Sequence, residues 1–216
     1  MLEYWKSSIT PLLHYSITPI IFFWESWIMS IAVAVQKDHQ LVIASDTQDN
    51  FGSNKVSFDN YRSKKIIKVG NSYIATTGWG VYEDILHDYL ATKPDVVLES
   101  KPLIFAFFME FWQGLHKKYS FVKDQTDEDH DSPFGGLDAT FLIINPQGIF
   151  YVSSNMSVTK FEKYFAIGSG ADFSLGTMYA LYDLDYTAEE IARKAVEAAM
   201  MLNVYCGGEI DLFSVD

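Results

Sequence analysis

Three side chains in the first third of the sequence have the chemistry of a self-contained nucleophilic site. Ser30 follows Met29, and removal of the preceding chain would give Ser30 a free α-amine. An α-amine has a pKa of about 7.7 to 8.0, so part of it is unprotonated near neutral pH and can act as general base for the hydroxyl of the same residue. Asp46 ends a predicted strand and Lys65 begins another, which places both beside Ser30. A cation held there by a carboxylate would disfavour the protonated amine.

A small turn offers the remaining group that such a reaction needs. Thr77-Gly78 ends a predicted strand and can present a backbone N–H to the negative charge that develops on an attacked carbonyl. Considered without Ser30, Asp46 and Lys65 would instead be interpreted as a structural ion pair. The combination of the four elements in this order favours an N-terminal serine nucleophile that requires no histidine.

Other kinds of site have little support in the sequence. The five histidines form no HExxH or related zinc-binding pair. The turn at 168–170 resembles a dinucleotide-binding loop, but Phe173 occupies the position of the third glycine. Cys206 has no neighbouring histidine and is interpreted as a packing residue. The acidic segment 124–131 lacks the spacing of an EF-hand and is predicted to be a solvated loop. We therefore expect no cofactor and no metal.

The predicted elements that must position these residues alternate between sheet and helix. Helix 103–119 is apolar around its circumference, which predicts burial between layers or against another subunit. Thr187 and Glu190 form a predicted capping box at the start of the last helix. The order of elements predicts two sheets stacked face to face between two helix layers. Strands are predicted over 30–35, 41–46, 65–69, 72–77, 139–144, 148–153, 164–167 and 209–215, and helices over 81–92, 103–119, 172–181 and 187–202.

Composition limits the function classes. The 216 residues are 49% hydrophobic and 20% charged, which is typical of one compact domain. A net charge of −12 argues against nucleic-acid or anionic membrane binding, which depends on clustered Lys and Arg. The longest apolar runs fall far short of the ~20 residues that span a bilayer, so no transmembrane helix is expected. With a single cysteine and no need of a disulfide, the simplest compartment is a reducing cytoplasm.

Residues 1–29 differ in composition from the rest of the chain. They hold three of the five tryptophans, only three charged residues and two copies of Ser-Ile-Thr-Pro. A secretory signal is weakly supported because Pro11 and Pro19 break the apolar stretch. A propeptide and an upstream start codon chosen in error, with translation beginning at Met29, are the other interpretations, and we favour the last. We therefore expect residues 1–29 to be an extension and 30–216 to be a single domain.

Six short segments resemble the landmarks of proteasome β-subunits and the related bacterial HslV-type peptidases. The resemblance extends from Ser30 to about Val215. It implies an α+β fold, the four-layer αββα sandwich of the N-terminal nucleophile hydrolases, assembled into rings whose sites face an inner chamber. The segments are Ser30-Ile-Ala-Val-Ala-Val, Val42-Ile-Ala-Ser-Asp46, Ser63-Lys-Lys65-Ile-Ile-Lys-Val, Thr76-Thr-Gly78, Ala166-Ile-Gly-Ser169-Gly and Gly207-Gly.

The resemblance also implies roles for individual residues. Ser30 would be the nucleophile, and Asp46, sixteen positions later, matches the catalytic aspartate of the family. Lys65 matches the catalytic lysine, although the polar stretch before it is longer than usual. Gly78 matches the oxyanion-hole glycine and Ser169 the supporting serine of the turn Gly168-Ser169-Gly170.

Three residues depart from the family pattern. Ser30 replaces the usual threonine, which keeps the hydroxyl but loses the methyl that helps to fix the rotamer. Asn203 and Cys206 stand where proteasome β-subunits commonly carry an aspartate and a serine that support the nucleophile. These departures predict low activity or a different arrangement of the site.

The sequence therefore predicts a cytoplasmic, bacterial proteasome-like hydrolase of the threonine-peptidase family that cleaves peptide bonds with Ser30. We expect a peptide or unfolded protein as substrate, homo-oligomeric rings, no nucleic acid and no membrane, and the need for a separate unfolding ATPase stays open. Two alternatives remain. One is a non-catalytic ring subunit, and the other is a small-molecule amidohydrolase of the same nucleophile class.

Overall fold

The chain forms eleven strands and four helices within the residues that the computed structural model describes, which are 30–51, 54–57, 59–119 and 135–215. The predicted extension 1–29 and acidic loop 124–131 lie outside these ranges. The strands are β1 Ala32–Lys37, β2 Gln40–Asp46, β3 Asn50–Phe51, β4 Asn54–Lys55, β5 Ile66–Val69, β6 Ser72–Gly78, β7 Ala139–Asn145, β8 Gly148–Val152, β9 Val158–Phe161, β10 Tyr164–Ile167 and β11 Ile210–Val215. The helices are α1 Gly80–Ala91, α2 Lys101–Lys118, α3 Ala171–Leu181 and α4 Ala188–Leu202.

Two antiparallel sheets make the centre of the fold. The first has the order β10-β1-β2-β11 and the second the order β5-β6-β7-β8-β9. Alternation along the strands gives each sheet two apolar faces. Ala34, Ile43, Leu142 and Ile144 fill the layer between the sheets. Because β1 lies between β10 and β2, the two residues that precede it, Ser30 and Ile31, are held by neighbours on both sides.

A helix pair covers the outer face of each sheet. Val33 and Val35 of β1 pack with Ile191 and Ala195 of α4 in one outer layer. Phe108 and Phe111 of α2 pack with Phe141 of β7 in the other. The result is an αββα sandwich, and the predicted fold class is confirmed.

Every strand and helix predicted from the sequence is present, with bounds shifted by at most two residues. Thr187 and Glu190 form the predicted capping box in front of α4. The β1–β2 hairpin turns through Asp38 and His39, both with positive φ. Helix α2 buries one face, whereas Leu103 and Phe105, at the two edges of that face, are 45% and 47% exposed in the single chain.

Three strands were missed by the sequence analysis. β9 is an edge strand of four residues in which Val158 is buried while Thr159 and Lys160 are both exposed. So short a segment has no regular alternation that would distinguish it from a loop in the sequence. β3 and β4 have two residues each and pair with one another, inside the polar stretch 47–63 before Lys65, where no strand was predicted. Within the described ranges no helix has both the length and the apolar character needed to cross a membrane.

Candidate active site

A buried carboxylate at the end of β2 joins three separate parts of the chain. Asp46 is fully buried, and its Oδ1 lies 2.5 Å from Nζ of Lys65. The same oxygen accepts a hydrogen bond from the backbone N–H of Ile31 at 3.2 Å. Its Oδ2 accepts the N–H of Gly207 at 2.9 Å. The predicted meeting of Asp46 and Lys65 beside Ser30 is therefore present.

Lys65 is as enclosed as its partner. Its side chain is 3% exposed, and Nζ donates a second hydrogen bond to the backbone oxygen of Gln48 at 2.7 Å. Burial raises the pKa of the Asp46 carboxyl above its ordinary value, and the Lys65 ammonium together with the Gly207 and Ile31 amides opposes that rise. Since each charge is desolvated, neither is stable here without the other.

The backbone of Ser30 is held by the turn between β10 and α3. Ser30 is 4% exposed, and its carbonyl oxygen accepts hydrogen bonds from the hydroxyl of Ser169 and the N–H of Gly170, both at 3.4 Å. Gly168 has φ +101°, and a Cβ at that position would lie 2.2 Å from the Ser30 oxygen. The turn Gly168-Ser169-Gly170, called the GSG turn below, reaches the Ser30 backbone because residue 168 has no side chain.

The peptide group between Ser30 and Ile31 is thus fixed at both ends. Its oxygen accepts from the GSG turn, and its N–H donates to Asp46. A residue whose backbone is held from two directions presents its side chain in a defined orientation. Such pre-organisation is what a nucleophile needs in order to reach a bound carbonyl.

Gly78 lies at the edge of this network. It ends β6 with φ +134°, and a Cβ there would lie 2.1 Å from the backbone oxygen of Asp138. The preceding residue, Thr77, has its Cγ2 3.2 Å from the position of a Cβ at Gly168. The structure brings Ser30, Asp46, Lys65 and Ser169 into one set of contacts and places Gly78 next to it. Their catalytic roles remain predictions.

Similar proteins were found among curated sequences and solved structures, although no family model matches the chain. A proteasome subunit beta of Nanoarchaeum equitans is 24% identical over 190 residues, which is 87% of this chain and 93% of the relative. A solved structure of Thiobacillus denitrificans BPH in complex with epoxomicin is 33% identical, covers 86% of this chain and 98% of its own, and has a TM-score of 0.77.

The chain belongs to the proteasome and HslV family. A second structure of Thiobacillus denitrificans BPH is also 33% identical, covers 86% of this chain and 97% of its own, and has a TM-score of 0.78. A eukaryotic HslV from Trypanosoma brucei, 18% identical, has a TM-score of 0.62 over 85% of this chain and 98% of its own, and it supports the fold alone.

Cys206 of this proteasome-family chain is buried against the GSG turn. It is 1% exposed, and its Sγ lies 3.9 Å from Oγ of Ser169. Burial raises the pKa of the thiol to about 12, with the nearby Asp46 charge adding to the rise. The thiol is therefore protonated near neutral pH, which makes it a poor nucleophile.

Two groups near the site were given no role by the sequence. Gly207 donates its N–H to Asp46, and the Gly207-Gly pair was recognised as a landmark without a role for that N–H. Glu83, in the first turn of α1, has a pKa raised to about 7 by burial and by the charges of Asp49 and Asp84, while Lys65 lowers it. Because the Lys65 charge lowers the pKa of Glu83, the Glu83 carboxyl interacts electrostatically with the ion pair. No spacing or motif in the sequence indicates this interaction.

Proposed function

We propose that the chain is a peptidase whose nucleophile is Ser30 at a mature N-terminus. The observation that carries the proposal is the sharing of one carboxylate oxygen: Oδ1 of Asp46 holds both Nζ of Lys65 and the N–H of Ile31, the residue after Ser30. A buried ammonium is thereby fixed close to the residue that would provide both the hydroxyl and the amine. Residues 1–29 would be absent from the active form, because an acylated amine is not a base.

The reaction would proceed in two transfers. The Ser30 hydroxyl oxygen attacks the peptide carbonyl while the α-amine of Ser30 accepts the hydroxyl proton. The amine then gives that proton to the leaving nitrogen as the C–N bond breaks, which leaves an ester on Ser30. Water, deprotonated by the same amine, hydrolyses the ester and restores the free serine.

The remaining residues have supporting roles in this proposal. The cation of Lys65 disfavours protonation of the nearby amine, and Asp46 holds that cation in place. A backbone N–H at Gly78 would stabilise the charge on the attacked oxygen. Ser169 would fix the Ser30 backbone through the contact of its hydroxyl with the Ser30 oxygen.

Substrate and assembly are part of the same proposal. The relative with a known complex is described as bound to epoxomicin, so we expect this chain to bind the same compound. We propose peptides or unfolded polypeptides as substrates and homo-oligomeric rings that enclose the sites. The proposal leaves open whether a separate ATPase unfolds the substrates.

Substitution of the nucleophile tests the proposal. In protein whose N-terminus has been shown by mass spectrometry to be residue 30, Ser30→Ala should reduce peptide cleavage to background, whereas Ser30→Thr should retain it because threonine carries the same hydroxyl. Ser214→Ala, at an exposed position of β11, is the matched control and should cleave at the unmodified rate. Unchanged turnover in Ser30→Ala would reject the proposal.

The same measurement separates the alternatives. A native chain that retains residues 1–29 and cleaves nothing would indicate a non-catalytic ring subunit. Turnover of small acyl-amides without turnover of peptides would indicate an amidohydrolase of the same nucleophile class.

A further inference from the structure

Three carboxylates lie together beside the candidate site. Glu83 is in the first turn of α1, Asp84 follows it, and Asp49 lies between β2 and β3. Burial raises the pKa of Glu83 to about 7, and the charges of Asp49 and Asp84 add to the rise, so the three interact with one another. Among the residues that the structure describes, no Lys or Arg forms an ion pair with any of them. We call these three residues the acidic cluster.

The cations and bases near the acidic cluster leave its charge largely unbalanced. The charge of Lys65 lowers the pKa of Glu83, but the Lys65 ammonium is bonded to Asp46 at 2.5 Å, so that pair carries little net charge. Nε2 of His87 lies 4.0 Å from Oε1 of Glu83, and its side chain is 54% exposed. Like charges at this proximity oppose one another, and a bound cation would relieve the repulsion.

A buried hydroxyl without a partner faces the same part of α1. Thr76 is 5% exposed, and its Oγ1 has no hydrogen-bond partner within the described part of the chain. Alternation along β6 places Thr76 on the side of Ile74, which packs with Tyr82 and Ile85 of α1. An unpartnered buried hydroxyl is unfavourable unless a bound group supplies the missing hydrogen bond. The hydroxyl therefore points to a polar ligand on this side of the sheet.

The acidic cluster and Thr76 lie close to the position proposed for the attacked carbonyl. Gly78, whose N–H would bind the carbonyl oxygen, comes two residues after Thr76 and five before Glu83. The N–H of Thr76 donates to the backbone oxygen of Lys65 at 3.1 Å, so this end of β6 lies beside Lys65. In a peptide, the side chain of the residue that supplies the attacked carbonyl is one carbon away from that group. This side chain therefore has to lie near the same turn.

Tyr61 adds an aromatic ring to the acidic cluster. Burial, the charge of Asp49 and a hydrogen bond to the Asp49 carboxylate raise the pKa of the Tyr61 hydroxyl, and the charges of Glu83 and Asp84 contribute. Tyr61 is 46% exposed, and its ring meets the ring of Phe51 edge-on at 6.4 Å. An accessible tyrosine ring can pack against the alkyl chain of a lysine or arginine and attract its charged end.

The spacing of the carboxylates favours an organic cation over a metal ion. Within 30–51, 54–57, 59–119 and 135–215, no three side chains of His, Cys, Asp or Glu lie close enough together to hold a metal ion. An ammonium or guanidinium group needs only one carboxylate in direct contact and is attracted by the others at longer range.

We propose that Glu83, with Asp49 and Asp84, makes this chain select lysine or arginine as the residue on the acyl side of the bond that Ser30 cleaves. This inference rests on the proposed function. The cationic end of the substrate side chain pairs with Glu83 and donates an N–H to the hydroxyl of Thr76, and its alkyl chain packs against Tyr61.

The test uses peptides that differ only in the residue before the cleaved bond, with the mature chain at about pH 8. We expect kcat/KM for the arginine and lysine peptides to exceed that for the leucine peptide at least about tenfold. Glu83→Gln should lower the arginine value at least about fivefold and keep the leucine value within about twofold, which also shows that the variant is folded. Glu197→Gln, on the exposed face of α4, is the control and should change neither value. Equal or better cleavage of the leucine peptide, or an arginine preference that Glu83→Gln leaves intact, would overturn the inference.

If Glu83→Gln does not fold, Asp84→Asn at an exposed position takes its place. It should lower the arginine value at least about threefold, because the removed charge acts at longer range. An unchanged arginine value in a folded Asp84→Asn would then overturn the inference.

Binding without cleavage distinguishes this inference from the proposed function. Ser30→Ala is titrated in a calorimeter with a blocked tetrapeptide amide that ends in arginine and with one that ends in leucine. The arginine peptide should bind at least about fivefold more tightly, and the added substitution Glu83→Gln should remove the difference. If the mature chain cleaves no peptide, the proposed function fails, while this contrast still decides whether the acidic cluster selects a cation. Equal binding of the two peptides would overturn the inference.

Discussion

Asp46 combines a structural and an electrostatic role in one buried side chain. It accepts hydrogen bonds from Ile31, Lys65 and Gly207, which come from three distant parts of the sequence. The cation that it holds is also the group proposed to disfavour protonation of the Ser30 amine. A single substitution at Asp46 or Lys65 therefore changes stability and catalysis together, and a double substitution is needed to separate them.

We predict that Lys65→Met destabilises the fold by about 3–5 kcal/mol, because it leaves the Asp46 carboxylate buried without a counter-charge. The double variant Asp46→Asn/Lys65→Met removes both charges and keeps one acceptor oxygen, which serves one of the two backbone amides that Asp46 holds. It should regain part of the stability in urea unfolding while peptide cleavage stays at background. A double variant that cleaves at the unmodified rate would show that the pair serves only the fold.

Glu83 provides a prediction for pH dependence. Its pKa is raised to about 7 in the folded chain from an ordinary value of 4.5, so the folded state keeps this proton when the unfolded state has lost it. The free energy of unfolding should therefore fall as the pH rises from about 4.5 to 7, by about 1–3 kcal/mol from this group. Glu83→Gln should reduce the difference in stability between pH 5 and pH 8 measured by urea unfolding. Glu197→Gln, on the exposed face of α4, is the control, and equal behaviour of the two variants would contradict the prediction.

At the scale of elements, the GSG turn between β10 and α3 matters most for the site. It donates two hydrogen bonds to the Ser30 oxygen and is itself held by Asn203. Its approach depends on backbone geometry, since Gly168 has φ +101° and contacts the Ser30 oxygen closely. The GSG turn leads into α3 and, through its hydrogen bonds to the Ser30 oxygen, ties that helix to the residues before β1.

Two glycine substitutions test the importance of that approach. A Cβ at Gly168 would lie 2.2 Å from the Ser30 oxygen, so Gly168→Ala should displace the turn and lower kcat by at least about a hundredfold. Gly176 lies inside α3, where an added Cβ would meet nothing within 4 Å, so Gly176→Ala should leave kcat unchanged and add about 0.5–1 kcal/mol of stability. Peptide cleavage and thermal unfolding of both variants measure the contrast. Normal cleavage by Gly168→Ala would contradict this account of the turn.

Local patterns in the sequence were sufficient for most elements. The capping box at Thr187 and the β1–β2 hairpin depend on residues a few positions apart, and both are present. β9 was missed because an edge strand with two exposed polar residues has no distinct pattern. Five candidate site residues could be identified from the resemblance, whereas the Asn203 contact with Ser169 and the burial that raises the pKa of Glu83 arise only when distant parts of the chain pack together. No spacing along the chain reports those contacts.

The whole molecule is a sandwich whose outer helices carry exposed apolar side chains. Leu103 and Phe105 on α2 are about half exposed in the single chain and flank, on its two sides, the face that packs on the second sheet. Exposed apolar groups on a helix are a common feature of surfaces that contact another subunit. This distribution agrees with the assembly into rings that we propose.

We predict that the protein sediments as an oligomer of many subunits in analytical ultracentrifugation. Phe105→Glu should shift the distribution toward smaller species, because it places a charge at an exposed apolar position of α2. Gln113→Glu adds the same charge at an exposed polar position of the same helix and should leave the assembly intact. An unmodified protein that is monomeric at all concentrations would contradict the proposed ring.

The proposed mechanism requires that Ser30 becomes the N-terminal residue and acts as the nucleophile. Its most direct test is mass spectrometry of the native protein before and after incubation with a covalent inhibitor of N-terminal nucleophiles. The proposed mechanism predicts a chain that begins at Ser30 and an adduct on the N-terminal peptide, located at Ser30 itself. A chain that retains residues 1–29 and still cleaves peptides, or an adduct on any other residue, would contradict it.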